Sequence, residues 1–251
     1  MRMRKKKWAD PYLAEHADFI FENPVDLKGK WKELLNVSNL HVEIGMGKGG
    51  YLNQMASMYP TEGWVGIEKD RSAAAVAARK AIEESDGNLE NKRMISANAE
   101  NLLSWFDEGE VDVIHLNFSD PWPKKHYHKR RLSSDKFLDM YKTLLSEDGK
   151  IIMKTDNTDL FEDSVIYFLQ NGFTFTEFYV DYRRNEHPDD AITEYESKFI
   201  EEGKPIYKLI AVQKKQITEE WWNILQLYYL CCYFYRVVQK WLRILMLTFL
   251  I

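Results

Sequence analysis

From residue 40 to residue 213 the chain alternates short apolar runs with helical stretches, and no other feature limits its possible folds as much. Strands separated by helices need crossover connections, and crossovers build a parallel sheet covered by helices on both faces. Strands are expected at 40–45, 63–68, 92–97, 111–117, 150–155, 174–180 and 206–212. Helices are expected at 72–84, 133–146 and 158–171. The first is rich in alanine and carries Arg79 and Lys80 on its polar side. The second has Ser133 or Ser134 as its cap and Gly149 beyond its end; the third stops at Gly172. A longer irregular segment, 181–204, joins the last two strands and suits an antiparallel strand at that edge. The expected class is therefore α/β: a mostly parallel seven-stranded sheet with one antiparallel edge strand.

A chain of 251 residues can form one large domain or two small ones. A basic segment with a lead-in helix occupies 1–39, the α/β domain 40–215, and an atypical apolar extension 216–251. The net charge of −5 does not by itself point to a nucleic-acid partner, but a local basic patch can still steer a phosphate backbone. The start, Met-Arg-Met-Arg-Lys-Lys-Lys-Trp, is basic without a following apolar run, so no secretory signal is expected. It could clamp an RNA backbone or simply fray. Cys231 and Cys232 are adjacent, which suits neither a bridge between them nor a metal site, and a cytoplasmic compartment fits. In the extension, the uncharged stretch 221–235 is short for a bilayer span and is followed by Arg236, Lys240 and Arg243. It reads either as an interfacial or partner-binding amphipathic helix, or as an abnormal end such as a read-through or shifted frame. No stable membrane association is expected.

The first expected strand runs into His41-Val42-Glu43-Ile44-Gly45-Met46-Gly47-Lys48-Gly49-Gly50. Glycines here let the chain turn tightly and bring backbone N–H groups close to a ligand. Gly45, Gly47 and Gly50 fit the dinucleotide pattern G-x-G-x-x-G; Gly45, Gly47 and Gly49 fit the pattern of adenosylmethionine enzymes. Glu68, at the end of the second strand, could accept hydrogen bonds from ribose hydroxyls in either class. Glu43 separates the two: a carboxylate there would repel a pyrophosphate but suits the cationic aminoacyl end of S-adenosylmethionine. Asn98, after the third strand, could bond the adenine edge.

The fourth strand leads into Phe118-Ser119-Asp120-Pro121-Trp122-Pro123-Lys124-Lys125-His126-Tyr127-His128-Lys129-Arg130-Arg131. Asp120 is placed at a strand's carboxyl end, where open parallel sheets bind ligands. The two prolines stiffen the loop. Basic residues interleaved with aromatics suit phosphate contacts and base stacking. His126 and His128 lack a third ligand at matching spacing, so no metal is expected.

Ser119-Asp120-Pro121-Trp122-Pro123-Lys124-Lys125, together with Glu43 and Gly45, Gly47 and Gly49, resembles the bacterial tRNA (guanine-N7)-methyltransferases. The resemblance covers roughly residues 2–214 and extends to Asn23-Pro24, Lys154-Thr155-Asp156-Asn157, Thr193-Glu194-Tyr195-Glu196 and Lys198-Phe199. It implies a Rossmann-like class I methyltransferase fold, S-adenosylmethionine as methyl donor, and tRNA as partner, with the variable-loop guanine at tRNA position 46 as target. It implies that Glu43, Glu68, Asn98 and Asp120 contact the methyl donor or act beside it. It implies that Lys124, Asp156, Thr193, Glu194, Tyr195 and Glu196 contact substrate, and that Lys124, Lys125, His126, Tyr127, His128 and Lys129 face RNA. His126-Tyr127-His128 departs from the family's more basic stretch, and Asn98 stands where Asp is common.

The guanine N7 carries no proton, so its methylation needs alignment rather than a general base. Asp120 is then expected either to orient guanine through N1–H and the 2-amino group or to hold the donor's cationic end. A nicotinamide-dependent oxidoreductase shares the glycine turn but leaves the Asp-Pro-Trp-Pro loop unexplained. A non-catalytic RNA-binding or assembly subunit on the same fold is the other alternative. A monomer or homodimer is expected.

Overall fold

A computed structural model describes residues 4–84 and 89–214; the extension expected at 216–251, with both cysteines, lies outside the described residues. The sheet has eight strands rather than seven. The addition is β1 (Ile20–Phe21), whose two residues pair with Met94 and Ile95, too short a run for sequence periodicity to register. The seven expected strands follow as β2 (Leu40–Ile44), β3 (Gly63–Ile67), β4 (Lys92–Ile95), β5 (Val111–Asn117), β6 (Leu145–Thr155), β7 (Phe173–Tyr179) and β8 (Tyr207–Gln213). Their order is β1-β4-β3-β2-β5-β6-β8-β7. β8 runs antiparallel to both β6 and β7, so the reversed strand lies one place in from the edge, and β7 is the edge.

Alternate strand residues feed two separate cores, which is why the central strands read as continuous apolar runs. Val65, Ile67 and Ile95 join one cluster; Trp64 and Met94 join the other. The second cluster is closed by α1 (Ala9–Glu15), α3 (Gly50–Met58) and α4 (Arg71–Glu84). The alanines of α4 let it lie close to its neighbours, and Arg79 on its rim covers the Trp8 ring at 4.4 Å. The first cluster takes Trp31 from α2 (Trp31–Leu34) and Leu102 and Trp105 from α5 (Leu102–Trp105). It is completed by α6 (Asp135–Leu144) and α7 (Thr158–Gln170).

Local signals explain most helix ends, with three corrections. Asn157 caps α7, its Oδ1 accepting the Leu160 N–H at 2.8 Å, and Gly172 ends the turn beyond it at φ +79°. The serines before α6 do not cap it: the Ser134 hydroxyl donates to the Lys129 carbonyl, and Ser133 bonds Ser164. Gly149 is not a helix stop but lies inside β6, where a side chain would meet Leu145. The segment 181–204 is not irregular throughout; it contains α8 (Glu194–Glu201).

One polar element crosses the core. His41 stacks on Trp64 at 4.1 Å, and its Nδ1 lies 2.9 Å from Nε2 of the buried His115 on the neighbouring strand. Burial, then the nearby His41 and Lys154, hold the His115 ring well below the usual imidazole range of 6.5. A depressed imidazole contributes stability that is present above pH 6.5 and is lost as the pH falls. Ring-nitrogen NMR should find His115 still neutral as the pH drops through 6.5; a midpoint at that value would contradict this placement.

Candidate active site

The glycine turn is built on three left-handed residues. Gly45, Gly47 and Gly49 have φ of +83°, +56° and +73°, whereas Gly50 has no positive φ and begins α3. The left-handed region is costly for any residue with a Cβ, so these three positions need glycine. At Gly49 a Cβ would also lie 2.8 Å from the Ala77 Cβ of α4. At Gly45 and Gly47 a Cβ would meet nothing within 4 Å, so that side of the turn is open.

Beside the turn, the carboxyl ends of β4, β3, β2 and β5 set a row of polar side chains. Glu43 is buried, with 2% of its surface exposed. Its Oε1 accepts a hydrogen bond from Asn117 Nδ2 at 2.9 Å, while Glu43 Oε2, Asn117 Oδ1 and Ser96 Oγ have no partner. They are three of eight such buried atoms among the described residues, and Glu43 and Asn117 stand side by side on the paired strands β2 and β5, a grouping that suits a polar ligand. Burial pushes the Glu43 carboxyl up to about 7, against the opposing pull of Asn117, Lys154 and the Leu52 backbone N–H. Glu68 is half-buried and braces the turn, accepting from the Gly47 N–H at 3.1 Å and the Asp70 N–H at 2.7 Å. Asn98 is exposed, and its Oδ1 caps a short 3-10 turn through the Glu100 N–H, leaving its amide nitrogen outward.

The Asp120 loop is held under strain. Phe118 and Trp122, on either side of it, have φ of +49° and +41° without being glycine. Such conformations cost on the order of 1–3 kcal/mol each and persist only where neighbours over-determine them. Here the neighbours are the Lys154 carbonyl, which accepts the Phe118 N–H, and the buried Arg131. Arg131 Nε donates to the Pro121 carbonyl at 2.7 Å, and its Nη1 pairs with Asp163 at 2.6 Å. Asp120 is thereby fixed at the surface, 61% exposed, with Lys69 Nζ at 3.5 Å.

Residues 125–130 form a 3-10 helix rather than an open loop. Lys124, Lys125, Lys129 and Arg130 are exposed and pair with no carboxylate among the described residues. Arg130 lies 5.1 Å from the Trp122 ring and 4.6 Å from the Tyr127 ring, and His126 packs on Tyr127 at 3.9 Å. His128 faces the other way: Arg131 Nη2 donates to its Nε2 at 2.9 Å and its Nδ1 meets Tyr167 Oη at 3.0 Å. Its side chain anchors the loop.

The segment 193–196 is a helix start, not an acidic loop. Thr193 Oγ1 accepts the Glu196 N–H at 2.9 Å and Glu196 Oε2 accepts the Thr193 N–H at 3.2 Å, a reciprocal cap for α8. Glu196 is fully buried between Lys154 and Arg183, so it holds the segment in place rather than touching a substrate from this position. Glu194 bridges Lys48 of the turn at 2.8 Å and Lys80 of α4 at 2.7 Å; Tyr195 is exposed. Asp156 is half-buried just past β6, near Lys204. Three contributors escaped the sequence reading: Asn117, Arg131 and Lys154. For Asn117 and Lys154 a signal existed, since each is a polar residue at the end of an apolar strand.

A family model described as putative methyltransferase matches residues 38–209. The tRNA (guanine-N(7)-)-methyltransferase of Oceanobacillus iheyensis is 43% identical, covering 86% of this chain and all of the relative. That of Geobacillus kaustophilus is 41% identical, over 85% of this chain and 97% of the relative. Among solved structures, an antibiotic-related methyltransferase shares the fold at TM-score 0.55 and 15% identity, over 74% of this chain and 93% of that one. The 16S rRNA methyltransferase KamB does so at TM-score 0.54 and 14% identity, over 74% of this chain and 94% of that one. With its glycine turn, its Asp-Pro-Trp-Pro loop and relatives matched almost end to end, the chain belongs to the tRNA (guanine-N(7)-)-methyltransferase family.

Proposed function

We propose that the chain transfers a methyl group from S-adenosylmethionine to N7 of a guanine in tRNA, at variable-loop position 46, in the cytoplasm. The observation that carries this reading is the half-paired, buried Glu43 beside an open turn of left-handed glycines. Those residues fit the donor. Glu43 Oε2 and Asn117 Oδ1 would take its ammonium, Glu68 its ribose hydroxyls, and the outward Asn98 amide its adenine edge. The donor, when bound, supplies an electrophilic sulfonium methyl group.

The rest is positioning by the chain. Asp120 sits on a strained, stapled loop, so its carboxylate is aimed before substrate arrives. It accepts from guanine N1–H and the 2-amino group, orients N7, and offsets positive charge that develops on the ring. Its exposed contact with Lys69 is worth little and yields to a base without penalty. Lys124, Lys125, Lys129 and Arg130 meet phosphates, while Trp122, His126 and Tyr127 offer ring faces to unstacked bases. N7 already presents a free lone pair, so the scheme needs no metal and no base.

Labelled methyl transfer to unmodified tRNA, followed by nucleoside analysis, should yield N7-methylguanosine and should fail when the variable-loop guanine is replaced. Label in another base, or none, would overturn the reading. Asp120→Asn should lower turnover by about 100-fold or more while donor affinity stays near that of the wild type. A matching loss of donor affinity would assign Asp120 to the donor instead.

Glu43→Gln tests the buried carboxylate separately. A folded pKa raised from 4.5 to about 7 means that the carboxyl's stability contribution is full below pH 4.5 and lost as the pH rises through 7. The neutral amide avoids that cost. The donor-free variant should therefore be more stable than wild type by about 3 kcal/mol at pH 8 and indistinguishable near pH 4.5, by thermal or urea unfolding. Its donor affinity should fall. Equal stability at pH 8 would mean that the carboxylate is compensated.

A further inference from the structure

One face of α3 grips the segment that begins α8. Tyr51 and Met55 lie one turn apart on α3, and Tyr59, the residue that ends the helix, follows after another four. Each holds a different atom of 189–191. The Tyr51 hydroxyl donates to Asp190 Oδ1 at 2.9 Å, Met55 Sδ accepts the Ala191 N–H at 3.3 Å, and the Tyr59 hydroxyl donates to the Asp189 carbonyl at 2.8 Å. From the other side, Lys154 Nζ reaches Asp190 at 2.8 Å and Glu196 at 3.3 Å. Arg183 pairs with the same two carboxylates.

These contacts are costly and specific. Lys154 and Glu196 are both fully buried, and such pairs barely repay their desolvation. A hydrophobic cluster would have held the segment as firmly. The ions fix it in one register, and that register is set by α3, whose first residue is Gly50 of the glycine turn. The segment also returns to that turn: Glu194 Cγ lies 3.8 Å from where a Gly50 Cβ would stand.

We propose that the Tyr51, Met55 and Tyr59 face of α3 is a positioning clasp that couples occupancy of the glycine turn to the setting of 189–196, and so to tRNA binding. A ligand that orders the turn orders the start of α3, and three side chains carry that order to the neighbouring segment. Coupling between two sites is reciprocal, so tRNA tightens the donor site by the same factor. The inference rests on the tRNA-methylating reading, and its test keeps the two apart.

The test measures tRNA affinity with and without saturating S-adenosylhomocysteine, for wild type, Tyr51→Phe and Tyr59→Phe. Tyr59→Phe keeps the half-buried ring and removes one hydroxyl, so folding stays intact. Wild type should bind tRNA about 5-fold or more tighter with the ligand present. Tyr51→Phe should lose most of that factor and Tyr59→Phe part of it. In turnover, the KM for tRNA should rise while donor affinity without tRNA stays unchanged. A merely structural role would lower both affinities together, or only the melting temperature. Ligand-independent tRNA binding by wild type, or full coupling in both variants, would overturn the clasp. Wild type that methylates no tRNA guanine would instead overturn the functional reading.

Discussion

A single buried carboxylate organises the ligand crevice. Glu43 stands at the end of a central strand with one oxygen bonded to Asn117, Lys154 and the Leu52 backbone N–H acting more weakly on the carboxylate, and Oε2 without a full hydrogen bond. An ionised carboxylate in that position destabilises the folded chain unless a cation or donor arrives. The crevice is thus built incomplete, and its missing partner must be positively charged or hydrogen-bond donating. The surrounding geometry follows from that requirement. Gly45 and Gly47 leave one side of the turn open, Glu68 fixes the turn from its neighbouring strand, and α3 begins where the turn ends.

The substrate side uses a different device. Asp120 is exposed and would wander on an ordinary loop. Two left-handed non-glycine residues and a buried arginine prevent that. Strain on the loop is balanced by the charge-assisted bonds of Arg131, and the lysines outside it stay exposed. Donor site and loop lean on the same strand ends, β5 running from Asn117 straight into Phe118.

Much of this was legible in the sequence. Apolar periodicity located all seven long strands and the three long helices, because the central strands are buried on both faces, the edge strand β7 still alternates in aromatic residues, and those helices bury one side. The Glu43 and glycine pattern and the Asp120 loop are contiguous in sequence, so their chemistry could be read directly. What escaped depends on distant contacts or very short elements. β1 has two residues, and α3 starts inside a glycine run that masks its helical pattern. The reciprocal cap of α8 was written in Thr193 and Glu196, but the same residues also read as ligand contacts, and only burial decides between the two. His41 with His115, and Lys154 with Glu196, are brought together by strand order and a crossing segment that no local pattern encodes. His128 looked like part of an outward basic run until Arg131 and Tyr167 were found on its two nitrogens.

The most direct measurement of the central claim is a carboxyl-carbon NMR titration of Glu43, with and without S-adenosylmethionine. Free protein should titrate with a midpoint near the raised value of about 7. With the donor bound, the midpoint should fall to the ordinary carboxylate range or below, because an adjacent ammonium favours the ionised form. A midpoint near 4.5 in the free protein, or one that the donor leaves unmoved, would contradict the claim that Glu43 is the incomplete half of the site.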